Sequence, residues 1–456
     1  MAELRRDLGL WGAVAIVIGT VIGSGIFLVP KAMILRVGSP QMVFAVWIFG
    51  GVLSMFGALT YAELAAALPE AGGEYVYLTE AYGPFFGFLY GWTQTLVAKA
   101  ASIATLATGF YLYLGNFFPP LERVWFTIPL NIGPNGGPLE IRFGQLFAMA
   151  VILALGGLNY FGVKIGGGVQ VAVTVVKVGL ILAIIFIGLT WGQGNVANYS
   201  TSIPAGGGLA GFFAALVAAL WAYDGWNNVG MVASEIKNPQ RNLPLSLIGG
   251  LLAVVAIYLL TNVAYFYVLS SNEVATSDRV AASMMSKLLG QPGANWVSIA
   301  AMISIFAALN GSILTGSRVP FALSRDGLFF KPLAKVHPVY HTPGVAILAL
   351  SAWSAILVLS GRYDDLYTLV IFPSWILYAM ATASVIVLRK KRPDLIRPYR
   401  TWGYPLVPIL FVLVAGTLLV QTLMDKPRES LLGLVIIAAG LPFYFHWKRR
   451  LLVKYP

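Results

Sequence analysis

Apolar residues gather along the chain in twelve blocks divided by short polar or Gly- and Pro-rich stretches, at 8–35, 40–68, 84–114, 143–161, 165–190, 209–234, 245–269, 296–323, 345–359, 366–388, 405–424 and 431–447. Most approach or exceed the roughly 20 residues that a helix needs to cross a bilayer core. The pattern predicts an all-α polytopic membrane protein of 12 transmembrane helices. Residues 71–83 are too polar to cross, and 115–142 read as an exposed loop.

Two blocks carry internal interruptions. The first contains Ile22, Gly23, Ser24 and Gly25; the sixth runs Trp221-Ala222-Tyr223-Asp224-Gly225-Trp226-Asn227-Asn228. A spanning helix must satisfy its own backbone hydrogen bonds, so such breaks belong where the chain lines a cavity, away from lipid. Each break sits first in a set of five blocks, and an odd number of spans inverts the second set relative to the first. This predicts a 5+5 inverted repeat with broken helices 1 and 6: helices 1–5 in residues 1–190 and helices 6–10 in 191–390. Helices 11–12 and a cytoplasmic tail follow in 391–456 as an appendage.

Composition agrees with the membrane reading. Of 456 residues, 58% are hydrophobic and 11% charged, against about 25% charged in soluble domains. A net charge of +12 would suggest nucleic acid in a soluble protein, but here the basic residues flank apolar blocks, as lipid headgroups and topology require. With a cytoplasmic amino terminus, 19 of the 30 Lys and Arg residues fall inside and 9 outside; Lys99 and Lys177 lie within spans. The expected site is therefore the cell inner (plasma) membrane, multi-pass, with both termini cytoplasmic. No cleavable leader is expected, because the first apolar run continues past leader length without a small-residue cleavage site.

Several chemistries drop out. The chain has no cysteine, hence no disulfide, thiolate ligand or cysteine nucleophile. It has no phosphate-cradling Gly-Lys-Ser/Thr loop and no defensible catalytic triad, so neither ATP drive nor an enzyme is expected. His337 and His341 flank Pro338 without a spaced carboxylate and read as loop residues, so no metal and no cofactor are predicted.

What remains suits binding of a small zwitterion. Amides exposed at Gly23, Ser24 and Gly25, with the Ser24 hydroxyl, can hold a carboxylate, although small residues also serve close helix packing. Carbonyls at Trp221, Ala222 and Tyr223 can receive an ammonium group. Asp224 is an acidic residue deep in an apolar block, placed either to attract a substrate ammonium or to pair with Lys177. Trp221, and less strongly Trp226, are candidate lids. Asn227 either bridges to substrate or satisfies backbone freed by the break. Lys177, mid-block among Val173, Thr174, Val175, Val176 and Val178, either stands where other transporters hold sodium or titrates as a proton carrier. Lys99, with Thr95, Ser102 and Thr105, marks a polar face that lines a vestibule or pairs with a loop carboxylate.

A set of short motifs adds a family resemblance. It comprises Ile22-Gly23-Ser24-Gly25-Ile26-Phe27, Tyr61-Ala62-Glu63-Leu64, Pro69-Glu70-Ala71-Gly72-Gly73-Glu74-Tyr75, Glu235, Asn238-Pro239, Arg241-Asn242-Leu243-Pro244, Asn310-Gly311-Ser312 and Ser324-Arg325-Asp326-Gly327. Together they resemble the amino acid-polyamine-organocation (APC) transporter superfamily, and within it a bacterial stand-alone member of the L-type amino acid transporter (LAT) family. The resemblance implies sodium-independent exchange of neutral L-amino acids by alternating access, with cationic ones left open. It implies that Ile22 to Gly25 and Trp221 to Tyr223 bind substrate and that Asn227 tunes recognition. Trp221 takes the place of a phenylalanine outer gate, and Lys177 links the first break to span eight in place of a cation. Asp224 resembles the acidic choice of relatives that take cationic substrates. The family's animal members are disulfide-linked to a single-span glycoprotein, which a chain without cysteine cannot be, so the implied partners are amino acid and membrane lipid. A proton-coupled permease is the alternative, and a membrane amino acid sensor the alternative of a different class.

Overall fold

The computed structural model describes residues 3–129, 138–206, 208–360, 363–425 and 427–454; part of the loop expected at 115–142 therefore lies outside the described residues. The first apolar block folds as α1 (Leu10–Val21) and α2 (Gly25–Val37), followed by α3 (Pro40–Ala67) and the short α4 (Glu74–Tyr82). Next, α5 (Pro84–Thr93) passes through a π-helical turn (Gln94–Ala98) into α6 (Lys99–Leu114). An antiparallel pair, β1 (Val124–Ile128) and β2 (Leu139–Arg142), caps the connection to α7 (Phe143–Tyr160) and α8 (Val163–Thr190). The sixth block gives α9 (Gly208–Tyr223) and α10 (Asn228–Met231). Then come α11 (Pro239–Val268), α12 (Ser271–Thr276), α13 (Val280–Gly316), α14 (Arg318–Arg325) and α15 (Gly344–Leu357). The described chain closes with α16 (Tyr363–Lys391), α17 (Leu406–Asp425) and α18 (Pro427–Lys454).

Among the described residues, 10 helical stretches are long and apolar enough to cross a membrane; α9 and Gly344–Ser360 are apolar but shorter. The protein is thus an all-helical, multi-pass membrane protein. At the turn from α2 to α3, Gly38 ends one helix at φ +77°, and Ser39 caps the next by accepting from the Met42 amide, with Pro40 in the first turn.

Burial divides the helices into an inner set and an outer set. The broken first helix is central: α1 packs on α8, α11 and α13, while α2 packs on α9. Outer helices present apolar side chains such as Phe186, Leu413 and Val435 away from the protein. That distribution costs free energy in water and none against lipid tails.

Three acidic residues are enclosed by the inner set. Glu63 on α3 takes a bidentate guanidinium from Arg389 at 2.9 and 2.7 Å and two bonds from Thr401 at 2.8 Å. Glu235, between α10 and α11, takes Arg318 at 2.8 and 3.0 Å. The third, Glu74, opens α4 in the stretch that composition marks as too polar to cross; α4 packs against α5 and α16 with Glu74, Tyr75 and Tyr77 buried. The stretch is polar because its carboxylate has partners inside.

Candidate substrate site

α1 stops at Val21, where Ile22 turns extended (φ −73°, ψ 91°), and α2 restarts at Gly25. The amides of Gly23, Ser24 and Gly25 thus lie at the amino end of a new helix inside the bundle. In the sixth block, α9 stops at Tyr223 and α10 begins at Asn228; Gly225 sits between them at φ +104°, which glycine adopts without strain.

The two breaks touch. A Cβ on Gly25 would lie 2.6 Å from the Cα of Ala222, so only glycine permits this approach. The Thr20 hydroxyl donates to the Gly225 carbonyl at 2.9 Å. The Tyr258 hydroxyl, on α11, lies 2.9 Å from the Val21 carbonyl and 2.8 Å from that of Ala222. One phenol thereby bridges both interruptions. Between them is a small cavity of about 20 Å³ whose walls include Gly23, Ser24, Gly25, Trp221, Asp224 and Asn228, with Ser102 and Ser312 from α6 and α13.

Of the residues singled out in the sequence, Gly23, Ser24, Gly25, Trp221 and Asp224 meet at this cavity. Ile22 sits behind it: its carbonyl accepts from the Lys177 ammonium and, at 3.2 Å, from the Ser304 hydroxyl on α13. Lys177 also donates to the Gly19 carbonyl at 2.7 Å. It therefore ties α8 to the end of α1, and of the two alternatives for Asp224, pairing with Lys177 is not the one adopted. Asp224 instead accepts from the Tyr378 hydroxyl at 2.9 Å.

The remaining candidates stand back from the opening. The Ala222 carbonyl is engaged by Tyr258, and the Trp221 carbonyl accepts from the Asp224 amide at 3.1 Å. The Tyr223 side chain packs on Trp47 and Tyr258 and donates to the Trp47 carbonyl at 3.1 Å. Asn227 points to α4, where it donates to Glu74, which also accepts from the Tyr90 hydroxyl at 2.9 Å. Trp226 packs edge-on against Tyr61 with centroids 4.8 Å apart, a packing role in place of a lid. Tyr258, Tyr378 and Glu74 were not apparent as site neighbours from sequence; only Glu74, a carboxylate just after Gly72-Gly73, left a local signal.

The sequence profile described as amino acid permease matches residues 8–441. The chain belongs to the amino acid permease family. The permease is 36% identical to the serine/threonine exchanger SteT of Bacillus subtilis over 98% of both chains. It is 32% identical to the b(0,+)-type amino acid transporter 1 of Mus musculus, over 97% of this chain and 88% of the relative. The cystine/glutamate transporter of Homo sapiens is also 32% identical, over 97% of this chain and 85% of its own. These relatives bear out the resemblance read from the motifs. The permease accordingly carries amino acids across a membrane and is a transporter, not an enzyme.

Proposed function

We propose that the permease exchanges neutral L-amino acids across the cell inner membrane, independently of sodium, by alternating access. The observation that carries this reading is the meeting of two helix breaks over one polar cavity, stapled by the Tyr258 hydroxyl. Helix amino ends suit a carboxylate, and interrupted helices between repeats are where secondary transporters hold substrate. The substrate carboxylate binds at the Gly23, Ser24 and Gly25 amides. Its ammonium binds near the carbonyls of Trp221 to Tyr223, with Trp221 closing the pocket. Asn227 acts indirectly, by anchoring the second break to Glu74. The Lys177 ammonium, on the carbonyls of Gly19 and Ile22, stands in for a bound cation. A serine/threonine exchanger among the relatives favours a small polar substrate.

In this reading α9–α10 and Gly344–Ser360 also span, which brings the total to twelve, with units 1–190, 191–390 and 391–456 and both termini cytoplasmic. The bundle contacts lipid and, having no cysteine, carries no disulfide-linked heavy subunit. Exchange follows if the empty carrier reorients slowly, so that return depends on a second substrate. The test is uptake of labelled serine into proteoliposomes with and without internal amino acid. Uptake into empty vesicles that follows a pH gradient would favour a proton-coupled permease, and binding without flux would mark a sensor.

A further inference from the structure

The inner set holds a cation that the transport scheme does not use. Lys99 is the first residue of α6, directly after the π-helical turn Gln94–Ala98; π turns inside α-helices concentrate at functional sites. Its side chain is 3% exposed, and its ammonium donates to the Asn228 carboxamide oxygen at 2.7 Å. The stem runs over Gly316 so closely that a Cβ there would come within 2.4 Å of Lys99 Cγ. Asn228, Asp224 and Ser102, one turn along α6 from Lys99, all line the cavity.

Among the described residues the other cations that meet buried groups are engaged elsewhere. Arg318 serves Glu235, Arg389 and Arg397 serve Glu63, and Lys177 serves backbone carbonyls. Lys99 reaches the second break instead, through Asn228, which shares the cavity wall with Asp224. An acidic residue in a cavity wall invites a cationic side chain, and here a buried ammonium already stands one hydrogen bond behind that wall, on Asn228.

We propose that Lys99 is a specificity-determining residue: a tethered internal cation that neutralises Asp224 and so confines the pocket to uncharged side chains. The proposal rests on the transport reading above. A lysine or arginine substrate would have to displace a buried ammonium held by Asn228 and leave it without compensation, which is costly. Without Lys99, Asp224 becomes a docking point for such side chains.

The test is the ratio of lysine to serine uptake by counterflow in Lys99→Met, Lys99→Arg and the Lys99→Met/Asp224→Asn double variant, with binding read in parallel as ligand-induced thermal stabilisation. Lys99→Met raises the ratio about tenfold. Lys99→Arg keeps the wild-type ratio, and the double variant cancels the gain. An unchanged ratio in an active Lys99→Met carrier, or a wild type that takes lysine as readily as serine, overturns the proposal. If neither Lys99→Met nor Lys99→Gln folds, Lys99 is a structural residue and the proposal is likewise overturned. Absence of wild-type counterflow for all amino acids refutes the exchanger reading instead, while the binding ratio still decides the role of Lys99.

Discussion

Replacing Tyr258 by phenylalanine removes one oxygen from the point where the two helix breaks meet. The ring keeps its edge contact with Trp47, 5.1 Å between centroids, and its contact with Tyr223 at 5.2 Å. Only the hydroxyl bridging the Val21 and Ala222 carbonyls, at 2.9 and 2.8 Å, is lost. A hydroxyl has one proton, so it makes one strong bond at a time and shares it between two acceptors. Its removal leaves a buried carbonyl short of a donor, at a cost of about 1–2 kcal/mol. That cost falls on the conformation in which both breaks converge, so its population drops by a factor of roughly 5–30 relative to states in which they separate. Counterflow of labelled serine should slow by about that factor, while the purified variant stays monodisperse and retains its helical circular dichroism. Counterflow unchanged in Tyr258→Phe would refute the idea that this hydroxyl staples the site.

Other substitutions probe the remaining parts. Gly25→Ala places a Cβ 2.6 Å from the Ala222 backbone, and the variant should lose exchange while still reaching the membrane, checked by surface labelling beside transport. Lys177→Met leaves the Gly19 and Ile22 carbonyls without their ammonium; loss of charged hydrogen bonds at about 1.5–3 kcal/mol each should weaken serine binding more than tenfold in a thermal-shift titration. Arg318→Met strands Glu235 inside the bundle, which typically costs about 3–5 kcal/mol. The expected result is a large fall in unfolding temperature, partly restored by Arg318→Met/Glu235→Gln, whereas a fall equal in both variants would mean that the charge of Glu235 is not the cause.

Both breaks were legible in the sequence because each is a local event. Gly23-Ser24-Gly25 cannot run as a lipid-facing helix, and the observed gap at Ile22 to Ser24 agrees with that stretch to within one residue. Asp224 marked the second gap for the same reason: an acidic residue in an apolar run requires an unusual setting. What polar groups bind was less legible, because the partners come from distant segments. Tyr258 lies 237 residues from Val21, and Asn227 lies 153 from Glu74. Nothing near Tyr258 in the sequence separates it from an aromatic residue of an ordinary span, and Tyr378 is equally unremarked. Composition could flag 71–83 as polar, yet only packing against α5 and α16 makes Glu74 an inner residue. Lys177 was recognised as an expensive burial, but its choice of carbonyls over Asp224 depends on how α8 crosses the end of α1.

Sodium-free counterflow tests the proposed exchange most directly. Purified permease is placed in liposomes preloaded with unlabelled serine or left empty, and labelled serine is added outside. Rapid accumulation in preloaded vesicles, with little in empty ones and no response to a pH gradient, is the predicted result. Equal accumulation in both, or uptake that needs sodium or follows the proton gradient, would contradict it.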